Sequence, residues 1–176
     1  RCVKEIKKQH PALIVEILIP DFRGKTELVQ TIIDSKPDVI AHNVETVKRL
    51  QKKVRDPRAN YEQSLSVLRY VKSVAPQIYT KSSLMLGFGE SDEEVIETMR
   101  NLREIGVDVF TMGQYLRPSD WHVEVAEYIH PDRFEAFKVI GEKLGFLYVA
   151  SGPFVRSSYR AGELFLKNII GMKMKA

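Results

Sequence analysis

The sequence predicts an α/β fold, a partial (β/α) barrel of about five parallel strands with a C-terminal helical tail. Three observations carry this. Short runs rich in Val, Ile and Leu alternate with stretches of helical periodicity. Successive runs lie roughly 20 to 40 residues apart, the spacing that strand–helix–strand crossovers need. Such crossovers are right-handed, which makes the strands parallel. A full eightfold barrel takes at least about 200 residues, and this chain has 176. Part of a barrel fits that length, with an open doubly wound sheet as the rival. The expected division is residues 1–152 for the barrel and 153–176 for the closing segment.

Each element has its own signal. Val15–Ile19 reads as a strand, and Asp21-Phe22-Arg23-Gly24 as the turn after it. A helix of about ten residues follows, with Leu28, Ile32 and Ile33 on one side. Asp38–His42 is a second strand, and Thr46–Val54 a short helix. Pro57 disfavours helix at Asp56, so residues 55–60 form a loop. Tyr61–Ala75 is helical, with Leu65, Leu68, Val71 and Ala75 in one stripe, and Pro76 ends it. Ile78–Leu86 is the longest β-type run and closes on Gly87-Phe88-Gly89. Ser91 and Glu94 spell a capping box. The helix they start carries Val95, Met99, Leu102 and Ile105 on its apolar face, and Gly106 stops it. Val107–Met112 is the fourth strand. Pro131 opens the next helix, whose buried side holds Phe134, Phe137 and Leu144. Leu147–Ala150 is the last strand.

Composition is that of an ordinary folded domain, 44% hydrophobic and 28% charged. No run of about 18 apolar residues exists to cross a membrane. The net charge of +4 resides partly in Lys4, Lys7, Lys8 and in Arg49, Lys52, Lys53, Arg55 and Arg58. These are solvated helix faces or an electropositive face for an acidic protein. No nucleic-acid motif accompanies them. The single cysteine, Cys2, excludes an internal disulfide framework. It reads as a small buried hydrophobe. The opening Arg1-Cys2-Val3 reads as a cut within a longer gene product.

In parallel α/β folds, sites form at the carboxyl ends of strands. Polar residues gather there: His42, Asn43 and Glu45 after the second strand; Lys81, Ser82 and Ser83 within the third, with Gly87, Gly89 and Glu90 after it; Gln114 and Arg117 after the fourth. Each has a plainer reading. On that reading His42 is a structural histidine, Asn43 and Glu45 are helix caps, Glu90 is a first-turn carboxylate, and Ser157 and Ser158 are a helix start. No nucleophile–base pair stands out, and the four histidines lack metal-ligand spacing.

Six segments go further. They are Ile19–Gly24, Ala41–Val47, Val54–Tyr61, Thr80–Gly87, Gly113–Pro118, and Ser151-Gly152-Pro153-Phe154-Val155-Arg156-Ser157-Ser158-Tyr159. In this order they resemble successive segments of lipoyl synthases, members of the radical S-adenosylmethionine superfamily. The continuation Arg160–Phe165 resembles the eukaryotic, organelle-targeted members. The resemblance implies a radical-SAM TIM-like barrel, S-adenosylmethionine, and two 4Fe–4S clusters. One cluster cleaves S-adenosylmethionine to a radical that takes hydrogen from a protein-bound octanoyl chain. The other gives up the two sulfur atoms that are inserted. It further implies an octanoylated carrier as partner, the glycine cleavage H protein or a 2-oxoacid dehydrogenase E2 domain. An electron donor such as ferredoxin, and a mitochondrial location, follow from the same likeness. Nucleic acid and membrane are not among the expected partners.

By the same resemblance, Asn43, Glu45, Lys81, Ser83, Gly87 and Gly89 line the S-adenosylmethionine site. Gln114 and Arg117 position the octanoyl-lysine or the auxiliary cluster. Ser158, with Ser157 as the alternative, is the cluster's serine ligand. Serine is a harder, poorer ligand than thiolate for such iron, which suits a site that must release an iron. The chain departs from the pattern in lacking the cysteine motifs, so it is expected to be inactive alone. One alternative is a non-catalytic α/β module that binds a lipoyl-carrier protein. Another is a half-barrel enzyme for phosphorylated molecules, against which Gly152-Pro153 counts because proline lacks the N–H a phosphate loop needs.

Overall fold

The computed structural model describes residues 1–158. The expected helical tail lies outside the described residues. Among the described residues the α-helices and strands run α1 (Cys2–Gln9), β1 (Glu16–Leu18), α2 (Thr26–Ile33), β2 (Val39–Ala41), α3 (Gln51–Val54), α4 (Tyr61–Val74), β3 (Tyr79–Leu86), α5 (Asp92–Glu104), β4 (Val109–Gln114), α6 (Pro131–Lys143) and β5 (Tyr148–Ser151). The five strands form one sheet in the order β1-β2-β3-β4-β5, every neighbouring pair parallel. Sequential order is that of a barrel wall. A doubly wound sheet would reverse its order at a switch point. The fold is thus a five-stranded parallel part of a (β/α) barrel.

The two faces of the sheet divide by alternation. Leu84, Leu86, Phe110, Met112 and Val149 pack with Val95, Met99 and Leu102 of α5 and Phe134 and Phe137 of α6. Ile40 joins Val29 and Ile33 of α2 and Val67 and Val71 of α4. The opposite face holds a smaller apolar floor of Val39, Tyr79 and Val109. Above that floor, toward the carboxyl ends, the same alternation brings Ser83, Met85 and Gly113 to the rim.

Several sequence expectations need correction. Leu28 is 42% exposed, whereas Val29 and Ile33, spaced i and i+4, form the buried stripe of α2. Thr46–Val54 is not one helix. A 3-10 turn at Lys48–Leu50 precedes the four-residue α3. Asn43 and Glu45 cap neither, since Val47 and Leu50 are the N-caps and neither gives a side-chain bond. The fourth strand runs two residues later than expected and includes Gln114. Cys2 is exposed, because α1 buries none of its residues. The capping box at Ser91 and Glu94 forms as expected, as does Pro131 in the first turn of α6.

Candidate functional site

The rim divides into two halves. On the β2 side, the chain leaves the strand through His42, Asn43, Val44 and Glu45. Glu45 adopts a left-handed conformation at φ 65°, uncommon for a non-glycine residue. It still bridges β3, its N–H donating to Ser83 O at 3.1 Å and its carbonyl accepting from Met85 N–H at 2.9 Å. Asn43 and Glu45 line the same cleft. Burial pushes the Glu45 carboxyl above the usual carboxylate range, with Asn43 and the Arg55 guanidinium acting against the shift.

Two clefts meet here. One, of about 160 Å³, is lined by Asn43, Glu45, Ser83, Met85, Gln114 and Ser157 among others. The second, of about 420 Å³, opens beside β1 and is lined by Asp21, His42, Asn43, Glu45 and Arg55 among others. Asn43 and Glu45 line both. Segment 152–157 folds back over β4: Gly152 N–H donates to Met112 O at 3.1 Å and Gln114 N–H to Pro153 O at 3.3 Å. A Cβ on Gly113 would stand 2.0 Å from Val155 O, so the closing segment requires glycine there. Ser157 thereby reaches the first cleft, while Ser158 is exposed.

On the β3–β4 side the polar groups are engaged with the protein itself. The buried Gln114 amide donates to Tyr115 O at 3.0 Å and Glu127 O at 3.1 Å, and accepts from Ile129 N–H at 2.9 Å. Arg117 donates to His122 O at 3.0 Å and to Asp120 O. Both residues therefore hold residues 115–130 against the strand ends. Gly87, at φ 116°, lies under that segment, and a Cβ would come within 2.4 Å of Gln114 Nε2 and 2.7 Å of Glu127 O. Gly89, at φ 92°, faces Ala126 at 3.6 Å. Glu90 precedes the N-cap rather than occupying the first helical turn. Its buried carboxylate accepts from Gly87 and Phe88 N–H at 2.5 and 2.9 Å.

Lys81 sits apart from both clefts. It is 3% exposed and pairs with Glu16 at 2.7 Å, reaching across β2. His42 is a satisfied buried histidine, with Nδ1 to Ile19 O at 2.9 Å and Nε2 to Ser64 Oγ at 3.0 Å. Burial lowers its pKa, with the Arg55 charge adding to the effect. The basic residues are neutralised in part: Lys7 pairs with Asp38, Arg49 with Glu94 and Arg58 with Asp56. Lys52 and Lys53 stay exposed. Arg55, Gln51 and Ser64 were not singled out as a group by the sequence. Its one hint was the i, i+4 spacing of Gln51 and Arg55.

Among the described residues, no three His, Cys, Asp or Glu side chains converge as metal ligands, and the chain has one cysteine. These residues alone do not make a cluster site. The first cleft does fit part of a polar organic cofactor, offering an amide, a carboxylate and a hydroxyl from Asn43, Glu45 and Ser83.

A parallel barrel wall with a polar pocket at its strand ends defines the class, and the family comparison agrees: residues 2–115 match the Radical SAM superfamily. The chain belongs to that superfamily. Within it, the chain is similar almost end to end to lipoyl synthases. It is 59% identical to that of Halobacterium salinarum over 97% of the chain and 55% of the relative. The mitochondrial lipoyl synthase of Trichoplax adhaerens is 54% identical over 98% and 49%. The chloroplastic one of Arabidopsis thaliana is 56% identical over 96% and 43%. The chain thus spans about half the length of the curated relatives it matches. The relatives are archaeal, mitochondrial and chloroplastic, so the likeness does not single out one compartment. Among solved structures, HMG-CoA lyase of Bacillus subtilis aligns over 91% of this chain and 63% of its own, at 16% identity and a TM-score of 0.45.

Proposed function

We propose that the chain is the C-terminal part of a lipoyl synthase, acting in the whole protein on an octanoyl-lysine of a carrier, the glycine cleavage H protein or a 2-oxoacid dehydrogenase E2 domain. The observation that carries this reading is the meeting of Asn43, Glu45, Ser83 and Ser157 around one cleft. Residues from β2, β3 and the closing segment, far apart in sequence, converge there. When bound, S-adenosylmethionine supplies the radical chemistry for sulfur insertion, with ferredoxin or a similar donor as electron source. Asn43, Glu45 and Ser83 would hold its polar groups by hydrogen bonds. Lys81, paired with Glu16, lies on β3 two residues before Ser83 and would support the site from below. Gly87 and Gly89 give the rim its close backbone approach, and Gln114 and Arg117 hold residues 115–130 beside the substrate side. Ser157 lines the cleft and the exposed Ser158 follows it. Either hydroxyl suits the role of a labile cluster ligand, within a closing unit 153–176 distinct from the barrel wall 1–152. The remaining ligands must come from outside these residues, so the 176-residue chain alone is inactive. A mitochondrial location goes with the organelle-type reading.

The test is anaerobic reconstitution of the natural gene product with iron and sulfide, followed by iron counting and an assay on octanoylated carrier. Two clusters' worth of iron and a lipoylated carrier are expected, with neither from the 176-residue chain. Iron-free protein that still binds octanoylated carrier in a salt-sensitive way would favour the non-catalytic module instead. The lack of a cysteine set within this chain is the observation on that side.

A further inference from the structure

The β2-side rim contains a buried polar network that the pocket's own residues do not explain. It begins at Ile19 O, which accepts from His42 Nδ1 at 2.9 Å. A carbonyl only accepts, so Nδ1 carries the proton and, in the neutral ring, Nε2 is an acceptor. Ser64 Oγ, 3.0 Å away, therefore donates to it. Ser64 Oγ in turn accepts from Arg55 Nη1 at 2.8 Å. The same Nη1 donates to Gln51 Oε1 at 3.0 Å. That leaves Gln51 with its amide nitrogen directed onward, donating to Val44 O at 2.9 Å and Thr46 O at 2.5 Å. These are the carbonyls on either side of Glu45.

We propose that His42, Ser64, Arg55 and Gln51 form a positioning network that clamps the backbone on both sides of Glu45 and so holds its left-handed conformation and its carboxylate in the pocket. This rests on the reading of Asn43 and Glu45 as ligand-binding residues. A non-glycine residue at φ 65° persists when its surroundings over-determine it. The two ladder bonds from Glu45 to β3 supply one side of that constraint, and Gln51 supplies the other. The direction of donation matters. Arg55 fixes the Gln51 oxygen, which forces the amide nitrogen to face both carbonyls. Ser64 and Gln51 are 0% and 4% exposed, so water does not readily replace either partner. The groups facing Arg55 are His42 just after β2, Ser64 from α4, Gln51 from α3, and the carboxylates of Asp21 and Glu45 across the larger cleft.

Gln51→Glu separates positioning from simple stability. It keeps the volume and the acceptor for Arg55, and gains charge complementarity with it, but loses both donors to Val44 and Thr46. Amide hydrogen exchange on the 176-residue chain reads the outcome without any ligand. Exchange at Glu45 and Met85 N–H should speed by about tenfold or more, the scale for a buried acceptor that loses its donor. Core amides such as Leu68 and Phe110 should stay protected. Arg55→Lys should accelerate the same amides, because an ammonium lacks the planar fork. Unchanged exchange at Glu45 and Met85 in both variants overturns the proposal. Titration with S-adenosylmethionine tests the reading beneath it. If Glu45→Gln leaves binding unchanged while Gln51→Glu accelerates exchange, the pocket's ligand is misread and the clamp stands. If Glu45→Gln weakens binding and Gln51→Glu affects neither binding nor exchange, the clamp fails and the pocket stands.

Discussion

The two halves of the rim use the same kinds of residue for different ends. After β2, Asn43 and Glu45 line two clefts, and the strained Glu45 backbone is held from outside by Gln51. After β3 and β4, Gln114, Arg117 and Glu90 direct their polar atoms at backbone groups of residues 87–129. The difference lies in what the neighbouring backbone lacks. Residues 115–130 have no regular element to satisfy their N–H and C=O groups, so side chains must do it. The β2 exit has ladder bonds to β3, so its backbone does not call on the side chains of Asn43 and Glu45. A polar residue after a strand is free for binding only where the backbone around it is already paired.

The largest effect that would break the contrast comes from the β3–β4 half. Gly87→Ala places a methyl 2.4 Å from Gln114 Nε2 and 2.7 Å from Glu127 O at φ 116°. Strain and overpacking together should cost about 2–5 kcal/mol. A drop of about 5–15 °C in Tm follows for a chain of this size. A variant melting within 2 °C of wild type, roughly the shift of 1 kcal/mol or less, would mean that the segment above Gly87 yields freely and is not held as described.

Gln114→Ala should come next. It strands Ile129 N–H and removes two bonds to carbonyls, at a cost of about 1–3 kcal/mol. The damage should be local, with limited proteolysis cutting between residues 115 and 130 before the barrel wall is touched. Cleavage that begins in the wall instead would show Gln114 acting on the whole fold.

These two halves were unequally legible in the sequence. Strand positions, the capping box and the α4 stripe follow from local periodicity, and the strand-end rule located the rim. Gln114 and Arg117 looked like binding groups because their partners, Glu127, Ile129 and His122, lie in a stretch with no periodicity. Arg55 was counted with the basic residues, since its partners Ser64 and His42 come together only through the packing of α4 on β2. Gly113 drew no notice beyond its place in a family segment. Its need for glycine arises from Val155, which is 42 residues later in the chain but folds back onto β4. Long-range backbone contact of that kind leaves no periodic trace.

A smaller effect with the opposite sign should appear on the β2 side. Glu45→Gln keeps the shape of the pocket but removes a carboxylate whose charged form burial disfavours. Stability at neutral pH should rise by about 0.5 kcal/mol, as is common where a functional residue is relaxed. Binding of S-adenosylmethionine should fall by about tenfold or more, the scale for a lost charge-assisted bond. Stability and binding falling together would assign Glu45 to the same structural class as Gln114.

The finest test uses pH, because two groups of the β2 side, His42 and Glu45, are shifted in opposite senses, while the lowered Asp21 and Arg55 stay charged between pH 4.5 and 6.5. The folded His42 pKa lies below its ordinary 6.5. Its contribution is therefore full above pH 6.5 and is lost as pH falls toward the folded value, because the unfolded chain binds the proton first. The folded Glu45 pKa lies above its ordinary 4.5, so its contribution is full below pH 4.5 and is lost as pH rises through the folded value. Between pH 4.5 and 6.5 the two slopes oppose each other. In Glu45→Gln only the histidine slope remains, and urea-unfolding stability should climb more steeply with pH than in wild type. In His42→Asn the climb should flatten or reverse. Gln114→Ala removes no titrating group and should shift the whole curve down with its slope unchanged. If Gln114→Ala altered the slope as much as Glu45→Gln does, the two halves of the rim would be electrostatically one site, and the division between a held half and a free half would fail.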